Sequence, residues 1–262
     1  MNTFIWGPPL WRLVHSVAYC AKPEHADVVS QFFLTFKKVL PCIYCRKSFA
    51  EFEEILRARY ENRQLSQIIN DSELFAWSYA LHDLVNEKLD RQEFEKQIVT
   101  KECLRAKQLT FQCLEKRHQL HPVHVTVTDL FDILFIFALN YPEDPTDEEL
   151  VAKQNAYKQF LLTFPYIITI LVKHGDPLIR ISQDPLFKFS RHYQQLSQTP
   201  ADRLVKNVLS SRKNLFCSIL IIWASYYQHN VSTPEAAKQL YRNMMDRYDV
   251  VKAKACKHGT CF

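Results

Sequence analysis

The scarcity of glycine most constrains what this 262-residue chain can fold into. It has three glycines, Gly7, Gly175 and Gly259, among long segments whose apolar residues recur at helical spacing. A β-rich or β-α-β protein of this length needs more turn glycines and more β-branched runs. We therefore expect an all-α protein. Its length allows one large core or two modest ones, and we favour two.

Four amphipathic segments in the first third of the chain predict a helical bundle. The predicted helices cover residues 10–21 after Pro8 and Pro9, 26–40, 42–59 after Pro41, and 71–89. Four such helices can bury a common core within roughly one hundred residues. Later apolar runs at residues 130–139, 160–172 and 215–223 predict a second core.

A charged stretch, residues 96–125, separates the two sets of helices and is interrupted by His121-Pro122-Val123-His124. We place the domain boundary there, which gives a first helical domain at 1–105, a second at 106–250 and a flexible tail at 251–262. Helix starts in the second domain are indicated at three places, a capping box at Thr146 and N-caps followed by proline at Thr199 and Thr233.

The charge pattern and the termini exclude several classes of partner. The formal net charge is +5, but acidic and basic residues are interspersed, so we expect no nucleic-acid binding. The amino terminus lacks the features of a secretory signal. The longest near-apolar stretch, residues 215–227, is shorter than the ~20 residues that a spanning helix needs. We expect a soluble cytoplasmic protein without membrane contact.

Eight cysteines are many for an intracellular protein, in which disulfides are usually catalytic or transient. Cys42 and Cys45 form a CxxC, and Cys256 and Cys261 form a CxxxxC near the end of the chain. A CxxC after Pro41, at a helix start, is typical of a pair that passes electrons, because the helix dipole favours the thiolate of Cys42. For the other four we expect small buried side chains: Cys20, Cys103, Cys113 and Cys217.

Two further segments carry aromatic and imidazole side chains at helical spacing. Trp11, His15 and Tyr19 are four residues apart and line one stripe, and His82 and Asn86 share one face of a later helix. Alone, the first indicates a core face with a hydrogen-bonded histidine, and the second a solvated polar pair. Together they also suit a ligand with flat rings and phosphates.

The order of these segments is what resembles a known family. Trp6-Gly7-Pro8-Pro9-Leu10-Trp11, then His15 with Tyr19, then Pro41-Cys42-Ile43-Tyr44-Cys45, then a WxxxxHxxVNxKL run from Trp77 follow one another. In this order they resemble the Erv/ALR family of FAD-linked sulfhydryl oxidases, from about Phe4 to Phe94.

The resemblance implies that residues 1–105 form a four-helix bundle that holds FAD at its mouth, usually as a homodimer. Cys42 and Cys45 would be the redox disulfide beside the flavin. Cys45 would face the flavin in a charge-transfer contact or adduct, and Cys42 would be attacked by the incoming dithiol. Family positions for the flavin ring fall on Trp6, Gly7, Trp11, His15 and Tyr19. Those for the adenine, ribose and phosphates fall on Trp77, His82, Val85, Asn86 and Lys88.

Two departures from the family pattern stand out. Asp83 occupies a position where the family usually has asparagine, and an acidic group there could weaken dinucleotide binding unless it points to solvent. Many cellular members carry a structural disulfide whose positions fall on Tyr79 and Lys96, so that bridge is missing. Whether Cys103 and Cys113 pair stays open.

The carboxy-terminal tail also has a family counterpart. The resemblance implies that Cys256 and Cys261 form a mobile dithiol, which takes electrons from protein substrates and relays them to the CxxC. Members from large DNA viruses, of the mimivirus type, add a helical domain after a core without the structural bridge. We therefore expect a viral type that acts in the host cytoplasm or the virion.

The sequence thus predicts an FAD-dependent sulfhydryl oxidase that passes electrons from protein dithiols through Cys42 and Cys45 to FAD and dioxygen, giving hydrogen peroxide. The alternative is a non-enzymatic helical interaction protein in which the CxxC and the CxxxxC bind zinc. We expect no metal, since a tail site with Cys256, His258 and Cys261 lacks an evident fourth ligand. A flavin-free dithiol isomerase is a third possibility, but the usual β-α-β pattern is absent.

Overall fold

The computed structural model describes residues 3–88, 125–142, 148–174, 185, 188–191, 193, 208–229 and 233–256. These ranges contain helices and turns but no strand, which confirms the predicted all-α class. The helices are α1 Thr3–Cys20, α2 Ala26–Leu34, α3 Phe36–Val39, α4 Ile43–Arg59, α5 Leu65–Asn70, α6 Leu74–Lys88, α7 Val127–Leu139, α8 Glu148–His174, α9 Arg212–Tyr226 and α10 Pro234–Cys256. None of them is both long and apolar enough to span a bilayer.

Helix α1 begins earlier than the start that was predicted from its two prolines. It starts at Thr3 and contains Pro8 and Pro9, so the expectation of a start at Leu10 was wrong. Proline lacks the N–H that a helix interior uses, and each one therefore costs the preceding turn a hydrogen bond. Pro8 and Pro9 are the sixth and seventh residues of α1, beyond the first four N–H groups that lack intrahelical partners, so the carbonyls of Phe4 and Ile5 lose their helical donors.

The helix predicted over residues 26–40 is divided in two at Thr35. The Thr35 hydroxyl donates to the carbonyl of Phe32 over 2.6 Å, which competes with the regular helical pattern. The second piece, α3, ends before Leu40, whose φ of −54° and ψ of 135° are non-helical. A residue before proline is pushed out of the helical region, so Pro41 ends α3. Helix α5 was not predicted.

The later helices lie where the apolar runs predicted them. Runs 130–139, 160–172 and 215–223 fall within α7, α8 and α9. Helix α10 begins at Pro234, and the hydroxyl of Thr233 accepts a hydrogen bond from the Ala236 amide over 3.2 Å. The start signals at Thr146 and Thr199 lie outside the described residues. So does the boundary region, and the division into domains stays a prediction.

Helices from both sides of the boundary region share one contiguous hydrophobic core, so the expectation of a separate second core was wrong. Helix α1 packs on α6, α7 and α8, while α2 and α3 pack on α8. The ring of Phe32 stacks on that of Phe160 with centroids 5.3 Å apart, and Phe33 meets Trp77 edge-on at 5.9 Å. The carboxy-terminal helices therefore reach the segment that leads into the CxxC.

Candidate active site

The CxxC opens helix α4, and its position follows from the break at Pro41. Cys42 is extended, with φ −89° and ψ 130°, and caps the helix. Its sulfur accepts a hydrogen bond from the Cys45 backbone N–H over 3.4 Å. Both cysteines are free thiols in this structure. The local geometry therefore places two reduced sulfurs at a helix amino terminus, where the dipole favours negative charge.

The two thiols have opposite electrostatic character. The pKa of Cys42 is lowered to about 6, chiefly because the Cys45 side chain donates a hydrogen bond to it, although burial opposes the shift. That same hydrogen bond, with burial and the charge on Cys42, raises the pKa of Cys45 well above its usual range. Cys42 is thus the thiolate at neutral pH, and Cys45 is its proton-bearing partner.

Exposure also differs within the CxxC. Cys42 is only 5 % exposed, whereas Ile43 and Tyr44 between the cysteines are 54 % and 58 % exposed. Cys45 is half-buried. Cys45 is therefore the more exposed residue of the pair, and the expected role of Cys42 as the sulfur attacked by substrate stays a prediction.

A stack of imidazole and indole rings joins α1 to α6. The rings of Trp11 and His82 lie face to face, with centroids 3.8 Å apart and planes 6° apart. His15 Nε2 lies 3.0 Å from His82 Nδ1, and His15 Nδ1 lies 3.1 Å from the Ser78 hydroxyl. Because that hydroxyl donates to the carbonyl of Phe75 over 2.8 Å, it accepts from His15 Nδ1. In a neutral His15 ring with the proton on Nδ1, Nε2 is the acceptor, and His82 Nδ1 then donates to it.

Three further aromatic residues lie on the two helices that form this stack. Tyr19 packs edge-on against Phe75 with ring centroids 5.4 Å apart. Trp77 is 2 % exposed and lies in the core against Phe33. Tyr79, at one position of the missing structural bridge, is buried with its ring 4.7 Å from that of His15. An aromatic side chain thus occupies one of the two positions at which the resemblance implies a structural disulfide.

Lys88 brings the end of α6 to the CxxC helix. Its Nζ donates to the Ser48 hydroxyl over 2.7 Å, lies 3.4 Å from a Glu51 carboxylate oxygen and sits 5.7 Å from the Phe52 ring centroid. Ser48 in turn donates to the carbonyl of Tyr44 over 2.8 Å. A lysine predicted to bind the cofactor therefore lies beside the first turns of α4. On the same helix Asn86 is buried and Val85 is half-buried.

Two observations bear on whether a flavin fits at this site, and both are compatible with one. The indole N–H of Trp6 is buried, with no hydrogen-bond partner among the described residues. It can only donate, and the flavin ring offers acceptors. Beside it, a Cβ added to Gly7 would meet no atom within 4 Å, so there is open space at this point of the backbone. Within the described residues, no group of three or more His, Cys, Asp or Glu side chains could hold a metal ion.

Two contributors to this region, Ser78 and Tyr157, were not predicted, and a third, Arg46, directly follows the CxxC. Ser78 is four residues before His82, so helical spacing could have placed both on one face. Arg46 donates to the carbonyl of Leu40 over 2.6 Å and to that of Pro41 over 3.3 Å. Tyr157, from α8, donates to the carbonyl of Val39 over 3.3 Å. Nothing local in the sequence indicates that last contact.

The remaining cysteines are only partly described. Cys20 is 3 % exposed, as expected for a small core residue. Cys217 on α9 is only half-buried, so the expectation of a buried side chain was wrong there, although partial burial still raises the pKa of its thiol. Cys103, Cys113 and Cys261 lie outside the described residues. Helix α10 ends at Cys256, whose side chain is not described either.

Comparisons with known proteins match the amino-terminal part of the chain. Residues 8–105 match the Erv1 / Alr family. The mitochondrial FAD-linked sulfhydryl oxidase ERV1 of Saccharomyces cerevisiae is 31 % identical over 93 residues, which are 34 % of this chain and 45 % of that relative. The chain therefore spans less than half of that relative's length. No solved structure matches significantly. The segment with the CxxC and the Trp11–His82 stack is thus the one similar to the Erv1 / Alr family.

Proposed function

We propose that this chain is an FAD-dependent sulfhydryl oxidase that forms disulfides in protein substrates and passes the electrons to dioxygen. The observation that carries the proposal is the paired thiols of Cys42 and Cys45, with the pKa of Cys42 lowered to about 6. They lie within the residues that match the Erv1 / Alr family. The similar yeast protein is named as an FAD-linked sulfhydryl oxidase.

The residues proposed to hold FAD form two groups. Trp6, Gly7, Trp11, His15 and Tyr19 would contact the flavin ring, and Trp77, His82, Val85, Asn86 and Lys88 would contact the adenosine and phosphates. The buried donor of Trp6 and the open space at Gly7 support the first group. The Lys88 side chain is 48 % exposed and cationic, which suits a diphosphate. When bound, FAD supplies the capacity to accept two electrons from a dithiol and transfer them to dioxygen, giving hydrogen peroxide.

The thiol chemistry of the CxxC follows a balanced exchange. A substrate thiolate attacks one sulfur of the oxidised pair, a mixed disulfide forms, and the second substrate thiol then displaces the enzyme sulfur. The substrate loses two S–H bonds and gains one S–S bond, and Cys42 and Cys45 become two thiols. We propose Cys42 as the attacked sulfur and Cys45 as the flavin-facing one, as the resemblance implies.

Trapping of the mixed disulfide tests those roles. Cys45→Ser has no enzyme disulfide, so the adduct is formed in the reverse direction, by offering a disulfide-bonded protein substrate. The Cys42 thiolate attacks that S–S bond, which breaks to give a mixed disulfide and one substrate thiolate, and the adduct should accumulate because the enzyme has no second thiol to release it. Cys42→Ser should not accumulate it. The opposite pattern would assign entry to Cys45, for which its greater exposure gives a reason.

Several finer points of the proposal are supported by the resemblance alone. We propose that Cys256 and Cys261 relay electrons from protein substrates, that the chain forms a homodimer, and that it is of the large-DNA-virus type. It would act in the host cytoplasm or the virion, although the similar yeast protein is named as mitochondrial. Light scattering on the purified chain tests the dimer.

Colour and oxygen uptake test the function itself. Purified protein should be yellow and release flavin on denaturation. It should consume oxygen on addition of dithiothreitol and produce hydrogen peroxide. Cys45→Ser should abolish uptake, whereas Cys217→Ser, which replaces a half-buried thiol on α9, should not. Colourless protein with stoichiometric zinc and no oxygen uptake would overturn the proposal.

A further inference from the structure

The residues just before Cys42 leave backbone carbonyls without helical partners. Helix α3 ends at Val39, and the last carbonyls of a helix lack intrahelical donors. Pro41 has no N–H and cannot extend the pattern. We call residues 39–41 the pre-cysteine turn. Its position determines where Cys42 caps α4.

Two side chains bind all three carbonyls of the pre-cysteine turn. Arg46 Nη1 donates to the carbonyl of Leu40 over 2.6 Å and lies 3.3 Å from that of Pro41. The hydroxyl of Tyr157 donates to the carbonyl of Val39 over 3.3 Å. Arg46 belongs to the same helix as Cys45. Tyr157 comes from α8 and lies 118 residues further along the chain than Val39.

Tyr157 is built as a permanent buried donor. It is 1 % exposed, and its hydroxyl is shared between the carbonyl of Val39 and that of Phe137, 2.9 Å away at the end of α7. Burial raises the pKa of Tyr157 far above its usual range, so the hydroxyl keeps its proton. Its ring meets that of Tyr141 edge-on, with centroids 5.2 Å apart. Packing against Tyr141 therefore holds the ring, and two carbonyls hold the hydroxyl.

We propose that Tyr157 is a positioning residue for the redox cysteines, which holds the pre-cysteine turn together with Arg46. It lies outside residues 8–105, so helices beyond the family match would complete the redox site. The consequence for catalysis rests on the function proposed above. The positioning itself does not, because it concerns the thiols of the reduced chain.

The link to thiol chemistry is geometric. The Cys45 N–H reaches the Cys42 sulfur over 3.4 Å only while Cys42 stays in its capping conformation. The side-chain hydrogen bond that most lowers the pKa of Cys42 has the same requirement. If the Val39 carbonyl loses its donor, the turn loosens and the thiolate of Cys42 is stabilised for a smaller fraction of the time.

The experiment compares Tyr157→Phe with Tyr193→Phe in the reduced full-length chain. Tyr193 is a matched control, because it is also fully buried and its hydroxyl also donates over 3.3 Å to a carbonyl, that of Leu161. Alkylation of Cys42 by iodoacetamide is followed against pH by mass spectrometry, which separates Cys42 from Cys45. Tyr157→Phe should raise the midpoint pH and slow alkylation near neutral pH by about threefold to tenfold. Tyr193→Phe should retain the wild-type profile.

A wild-type profile in Tyr157→Phe, or an equal shift in Tyr193→Phe, would overturn the proposal. Arg46→Lys tests the same turn through its other side-chain donor, since lysine keeps the charge but replaces the fork of donors with a single ammonium group. It should also raise the midpoint, and an unchanged midpoint there would reject the pre-cysteine turn as the link. The readout needs neither flavin nor oxygen, so its failure is distinguishable from failure of the oxidase proposal.

Discussion

Arg12 and Asp129 form a two-point ion pair between α1 and α7. Nε of Arg12 donates to Oδ2 of Asp129 over 3.0 Å, and Nη2 donates to Oδ1. The same carboxylate accepts the Thr126 N–H over 2.8 Å, and the Thr126 hydroxyl accepts the Asp129 N–H over 3.1 Å. Asp129 therefore completes the capping box of α7 and at the same time binds Arg12, the residue next to Trp11.

Loss of this ion pair should destabilise the chain. The Asp129 side chain is only 7 % exposed, and removal of its partner leaves a carboxylate with one remaining donor. We expect Arg12→Met to lower the free energy of unfolding by about 1–3 kcal/mol, a value reduced because Arg12 is itself 21 % exposed. Thermal denaturation of the flavin-loaded protein measures it.

The control for that prediction is Arg63→Met. Arg63 also makes two ion pairs, with Asp71 and Glu73, but both of these carboxylates are well exposed. Exposed pairs contribute little, so the melting temperature should hardly change. An equal loss in both variants would show that burial of Asp129 does not set the strength of the Arg12 contact.

A second prediction concerns what lowers the pKa of Cys42. The largest cause is the hydrogen bond from the Cys45 side chain, so Cys45→Ala should raise that pKa from about 6 toward its ordinary value. Cys45→Ser keeps a hydroxyl donor and should keep the pKa low. Since the thiolate is the reactive form, the alkylation rate of Cys42 near pH 7 should fall about tenfold or more in the alanine variant alone.

The serine variant decides how that result is interpreted. If both variants raise the midpoint equally, a serine hydroxyl cannot replace the Cys45 thiol as the hydrogen-bond donor to Cys42. If neither raises it, the backbone N–H of Cys45 and the helix dipole account for the thiolate by themselves.

Helical periodicity predicted which residues share a face but not what that face meets. The stripe of Trp11, His15 and Tyr19 lies on α1 as spacing required. That His15 would bond His82 depends on how α1 packs against α6, which no local pattern specifies. The expected breaks and starts at Pro41 and Pro234 were right because proline acts on its own neighbours.

Contacts between distant segments were the part that sequence could not provide. Tyr157 with Val39, and Arg12 with Asp129, join residues 118 and 117 positions apart. Each side chain alone looks like an ordinary tyrosine or a solvated arginine. Such contacts follow from the packing of α7 and α8 against the amino-terminal helices, and this packing places the residues next to the site.

A third prediction tests the ring stack as part of the cofactor site. His82→Phe keeps a flat ring against Trp11 but loses the hydrogen bond to His15, whereas His82→Ala loses both. Flavin retained per chain should fall in the order wild type, phenylalanine, alanine. Since an aromatic contact contributes about 0.5–1.5 kcal/mol, the alanine variant should bind FAD about twofold to tenfold more weakly than the phenylalanine variant.

A second stack in the chain provides the control. Trp223 and His229 lie face to face with centroids 4.5 Å apart, on α9 and just after it. His229→Ala removes a similar contact outside the proposed site and should leave flavin content unchanged. A fall in flavin content with His229→Ala as large as that with His82→Ala would mean that any ring loss acts through general stability.

The last prediction concerns the tail cysteines and the size of the substrate. A dithiol tethered to the chain presents the CxxC with an effective concentration in the millimolar range, which a bulky protein substrate cannot match directly. We expect Cys261→Ser to slow oxidation of a protein dithiol by about tenfold or more. Oxidation of dithiothreitol, which is small enough to reach Cys42 or Cys45 unaided, should stay within about twofold of wild type. Oxygen consumption with each substrate measures both rates, and Cys217→Ser serves as the control. Equal slowing with both substrates would reject the relay by the tail cysteines and would indicate that protein substrates react directly with the CxxC.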